Sequence, residues 1–164
     1  MTLRFPETRR AVEGMRVDSI TGSLFHGDET VLIFDVDGVL VRQIPTYFHG
    51  VRGRDSYVVD REASRLLKIA EKRVDHVVLW SRAPNYQLAV GGRLFNGVPC
   101  HLLGCHTSSP DGLEAYKDMR VVQSNTSKVV GIEDDGMFYP RDRVVNIHRG
   151  RSLAVAVWEA LDKL

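Results

Sequence analysis

Val31-Leu32-Ile33-Phe34-Asp35-Val36-Asp37-Gly38-Val39-Leu40-Val41 is an apolar run that stops in two carboxylates and a glycine. Four consecutive apolar residues before a turn signal suit a strand buried on both faces of a parallel sheet. Asp35-Val36-Asp37-Gly38 then falls beyond the carboxyl end of that strand, where open α/β sheets place their ligands. In a chain leaving the strand through a turn, one carboxylate can attack while the other transfers a proton. Their shared negative charge requires a counter-ion, and a hard divalent cation such as Mg²⁺ supplies it through oxygen ligands. Gly38 permits a tight turn whose backbone amides face an anion. The plainer reading of the same residues is a strand followed by an Asp-Gly hairpin turn.

Working outward, four more short apolar runs suggest strands near residues 77–80, 101–103, 129–132 and 144–147, with helical patterns between them. The expectation is a Rossmann-like three-layer α/β/α sandwich around a mainly parallel sheet of about five strands. One helix is expected after Asp60, a good N-cap, with Ala63, Leu66, Leu67 and Ala70 on its apolar face. A second is expected over residues 84–95 and a last over 152–164. Two of the strands carry further chemistry. Val77-Val78-Leu79-Trp80-Ser81-Arg82 ends in a hydroxyl that, with the next backbone amide, can hold a phosphoryl oxygen. Ala115-Tyr116-Lys117-Asp118-Met119 precedes Ser127-Lys128-Val129-Val130-Gly131-Ile132-Glu133-Asp134-Asp135, a basic residue followed by a strand that ends in acids.

Taken together, residues 30–148 resemble the haloacid dehalogenase superfamily of phosphatases, whose four motifs occur here in order. The resemblance implies that Asp35 is a nucleophile forming an aspartyl-phosphate and Asp37 the general acid/base. It implies that Ser81 binds the phosphoryl group and that Lys117 neutralises nucleophile and phosphate. It also implies an Mg²⁺ held by Asp35, Asp134 and Asp37, the last through its backbone carbonyl. The layout around Lys117 is most similar to the small C-terminal-domain phosphatase branch. That branch follows its second aspartate with an acid and Thr where this chain has Gly38-Val39, and it ends its last motif in Asp-Asp or Asp-Asn where this chain has Glu133-Asp134-Asp135. Glu133 and Asp135 thus remain alternatives to Asp134, and Lys128 an alternative to Lys117.

With 164 residues, 43% of them apolar and 26% charged, the chain suits one domain with one core. Residues 30–164 form the expected catalytic domain, and residues 1–29 an N-terminal segment without a legible role. Net charge is +1, from 22 basic and 21 acidic residues, so no broad nucleic-acid-binding field is implied. No apolar run is long enough for a membrane span, and the charged N-terminus lacks a secretory apolar region, so a cytoplasmic location is expected. Cys100-His101-Leu102-Leu103-Gly104-Cys105-His106 holds four potential zinc ligands. Adjacent strand side chains point to opposite faces, so the stretch reads instead as a strand with reduced cysteines.

Residues 42–59 leave no room for a sizeable cap domain, which implies an open site able to admit a phosphate borne on a protein, a nucleotide or a small molecule. Arg52, Arg54 and Arg82 are candidate clamps for that phosphate, since guanidinium binds it bidentately; solvated loop arginines are the competing reading. The resulting expectation is an Mg²⁺-dependent phosphomonoester hydrolase. A polynucleotide 3′-phosphatase, a receiver domain and a non-catalytic phospho-ligand module are the competing classes.

Overall fold

A computed structural model describes residues 22–44, 47–53, 56–81, 100–104, 117–148 and 151–164. Along the chain lie β1 (Val31–Asp35), β2 (Val41–Ile44), β3 (Tyr47–Phe48), β4 (Val51–Arg52), β5 (Ser56–Val59), α1 (Ala63–Arg73), β6 (His76–Ser81) and β7 (His101–Gly104). These are followed by β8 (Lys117–Asp118), β9 (Val129–Glu133), β10 (Phe138–Tyr139), β11 (Val144–Asn146) and α2 (Leu153–Asp162). Five strands form the central sheet in the order β11-β9-β1-β6-β7, and every pair is parallel. All five were expected from their apolar runs.

Alternation along these strands builds two cores. Leu32, Phe34, Val77, Leu79, Leu102, Val130 and Ile132 face Leu66, Leu67 and Ala70 of α1 and Ala156, Val157 and Ala160 of α2. Val31, Ile33, Val78, Trp80, Leu103 and Val129 face Met119, Val122 and Phe138 on the other side. That second layer is built, among the described residues, from the 3₁₀ turn at Met119–Val121 and the parallel pair β8-β10. The helix expected over residues 84–95 lies outside the described residues.

Two expectations need correction. Helix α1 begins at Ala63 rather than directly after Asp60. The Asp60 carboxylate instead accepts the Glu62 amide at 2.9 Å, closing the turn that leads into the helix. Residues 42–59 are not a plain loop, since β2 pairs antiparallel with β5, and β3 with β4 across His49-Gly50, forming a short ribbon in place of a large cap. Helix α2 starts as expected, with the Ser152 hydroxyl accepting the Val155 amide at 3.2 Å. No helix of the described residues is long and apolar enough to cross a membrane.

The strand order positions the site. From β1 the chain moves outward through β6 to β7, then returns to the other flank of β1 with β9 and β11. The order therefore reverses beside β1, and the carboxyl ends of β1 and β9 border the crevice that such a reversal opens.

Candidate active site

Asp35 is the last residue of β1, buried and in register with Trp80 of β6. Its Oδ1 accepts the Lys117 ammonium at 2.7 Å and the Val36 amide at 2.9 Å. Lys117 is equally buried; its Nζ also donates to the Trp80 carbonyl at 3.2 Å and lies 5.0 Å from the centre of the Phe138 ring. An ammonium held against an aromatic face with two oxygen acceptors is a cation fixed in direction as well as in place.

Asp134 and Asp135 follow the end of β9, across the crevice from β1. One carboxylate oxygen from each of Asp35, Asp134 and Asp135 lies within 4.8 Å of the others. Gly38 makes this approach possible. Its φ of +79° suits glycine, and a Cβ placed there would fall 1.7 Å from Asp134 Oδ2. The Asp-Val-Asp-Gly turn thus lies directly against the acids of the last motif, although 96 residues separate Gly38 from Asp134 in the chain.

The electrostatics follow from that crowding. Burial is the main cause that pushes the Asp35 carboxyl up to about 7; Lys117 opposes the rise, and Asp135 and Asp134 add to it. Asp134 is raised as well, by partial burial and then by Asp135. Asp37 is half-buried, outside the three-carboxylate group, and raised by burial against the pull of Lys117.

Three carboxylates facing a single ammonium leave an excess of negative charge, and all their donors are hard oxygens. That donor set fits Mg²⁺ and does not suit a softer metal.

The remaining candidates divide clearly. Ser81 ends β6, buried, one residue beyond the Trp80 that is level with Asp35. Lys128 sits just before β9, level with the start of β1, about five residues or ~16 Å along the strands from Asp35; the lysine in contact with Asp35 is Lys117. Glu133 turns away from the cluster into the backbone of the following turn. Arg52 lies in β4, and Arg54 and Arg82 fall outside the described residues, as do Cys105 and His106. Cys100 is a buried free thiol, pushed up to about 12 by burial. Sequence reasoning did not find Phe138 as the wall behind Lys117. Its only local signal is an aromatic residue after a run of acids. No family model matches the chain, and no curated protein matches it.

Proposed function

We propose that the chain is an Mg²⁺-dependent phosphomonoester hydrolase of the capless haloacid dehalogenase kind, acting on an exposed phosphate through an aspartyl-phosphate. The observation that carries this reading is the buried Asp35 at the sheet's reversal point, paired with Lys117 and flanked by Asp134 and Asp135.

In the first step an ionised Asp35 oxygen attacks phosphorus, the bond to the leaving oxygen breaks, and Asp37 protonates that oxygen. In the second, Asp37 takes a proton from water as the water oxygen attacks phosphorus, and the acyl-phosphate bond breaks to return Asp35. Lys117 and Ser81, both buried beside Asp35, offset charge on the transferring group. Asp35, Asp134 and the Asp37 carbonyl, with Asp135 within reach, would hold Mg²⁺. When bound, it lowers the cost of ionising Asp35 and draws charge from the phosphoryl oxygens. A short ribbon rather than a large cap beside the site supports a substrate whose phosphate projects from a larger body.

The test is hydrolysis of a generic aryl phosphate with and without Mg²⁺, comparing wild type with Asp35→Asn. Metal-dependent turnover that disappears in the variant is expected. Undiminished turnover in Asp35→Asn refutes the nucleophile assignment.

A further inference from the structure

Glu133 and Asp134 are neighbours in sequence with opposite surroundings. Asp134 approaches Asp35 and Gly38, whereas Glu133 is fully buried. Its Oε2 accepts the Met137 amide at 2.6 Å and the Phe138 amide at 2.8 Å, and its Oε1 pairs with the Arg141 guanidinium. The chain between them reverses at Gly136, whose φ is +77°. One carboxylate therefore fills the inside of the turn that bears Asp134 and Asp135.

The far side of that turn leads directly to the other half of the site. The Met137 carbonyl accepts the Lys117 amide at 2.8 Å, and Phe138 is in register with Lys117 in the β8-β10 pair. The Phe138 ring then backs the Lys117 ammonium. Arg141 reinforces the joint by donating to the Phe138 carbonyl at 3.3 Å. A single chain of contacts runs from the metal-binding acids through Glu133 to the phosphate lysine.

We propose that Glu133 is a positioning residue: it sets the spacing between Lys117 and the acidic pair Asp134 and Asp135, without itself ligating the cation. This rests on the phosphatase reading for the purpose of the spacing, though the contacts stand independently. Gln at this position keeps an acceptor for the two amides but turns an NH₂ group towards Arg141, and Ala removes the filling altogether. Groups that orient metal ligands typically contribute 10- to 100-fold in affinity.

The test titrates the protein with Mg²⁺ alone by calorimetry, using wild type, Glu133→Gln, Glu133→Ala, Asp134→Asn and, as a control for simple loss of stability, Val157→Ala in the helical core. Amide exchange of Met137 and Phe138 is followed in the metal-free proteins. Expected are faster exchange and an affinity about tenfold weaker in Glu133→Gln, a larger loss in Glu133→Ala, and unchanged affinity in Val157→Ala. Should Glu133→Ala fail to fold, Glu133→Gln alone decides. Wild-type affinity or wild-type exchange in a folded Glu133→Gln overturns the proposal while leaving the phosphatase reading intact, provided Asp134→Asn binds weakly. Absence of Mg²⁺ binding by wild type overturns both.

Discussion

The two ends of the central sheet hold ionisable groups in opposite ways. At the carboxyl end, Asp35, Lys117, Asp134 and Asp135 crowd together with more negative than positive charge. At the amino end, Phe25 stacks on His76 at 3.8 Å between ring centres, His101 meets both rings edge-on, and Glu29 pairs with His76 from the approaching chain. Gln123 ties that chain down by donating to the His26 and Glu29 carbonyls, both at 2.6 Å. Asp35 resists losing a proton and His101 resists gaining one. His101 is held down at about 4 by burial and by His76, while Asp35 is held up at about 7. Unneutralised charge is thus retained at the carboxyl end, whereas the ionisable groups of the amino end stack on aromatic rings or pair with a neighbour.

The largest effect that would sharpen this contrast is at Asp35. Asp35→Asn should lower phosphatase turnover by at least ~10³-fold with the circular dichroism spectrum unchanged, because the amide is nearly isosteric. Lys117→Met should follow, lowering turnover by ~10²- to 10³-fold and destabilising the fold by ~3–5 kcal/mol at neutral pH, as expected when a buried charge loses its partner. The sign of its pH dependence is fixed by Asp35. An acid whose folded pKa is raised from 3.8 to about 7 against the pull of Lys117 is protonated in both folded proteins well below pH 7, so the deficit in urea denaturation should be nearly constant between pH 4 and 6 and grow as pH rises above 7. A deficit that grew on acidification would break the comparison.

Gly38→Ala tests the contact between the two acidic motifs. Its methyl meets Asp134 at a positive φ, so a loss of ~1–2 kcal/mol and an Mg²⁺ requirement raised about tenfold are expected from turnover measured against metal concentration. At the amino end, His101→Phe should leave turnover within about twofold of wild type, since among the described residues no site residue contacts the ring. A histidine whose folded pKa is depressed from 6.5 to about 4 contributes stability above the unfolded value and loses it as pH falls. Removing it should therefore flatten the decline in unfolding free energy, measured by urea denaturation, between pH 6.5 and 4, by up to ~3 kcal/mol. A marked fall in turnover in this variant would join the two ends and break the contrast.

The five central strands were legible because strands buried on both faces are written as continuous apolar runs. Asp35, Ser81 and Asp134 were legible as polar residues at the ends of those runs, and Lys117 only through the resemblance of its segment to a family motif. The ribbon over residues 41–59 was not, because pairs as short as Tyr47–Phe48 and Val51–Arg52 carry almost no periodicity and form only through each other. β8-β10 escaped notice for the same reason. The division between Glu133 and Asp134 is invisible in composition. It follows from strand alternation, which sends Glu133 to the face occupied by Phe138 and leaves Asp134 beyond the strand end. Asp60 was read one turn too late in its role: a capping residue also suits the turn before a helix.

The most direct measurement is mass spectrometry of the acid-quenched protein during turnover of an aryl phosphate with Mg²⁺. The account predicts a phosphate adduct on the peptide spanning residues 31–41, located at Asp35 and absent from Asp35→Asn. Steady turnover with the adduct on another residue, or in the Asp35→Asn protein, would contradict it.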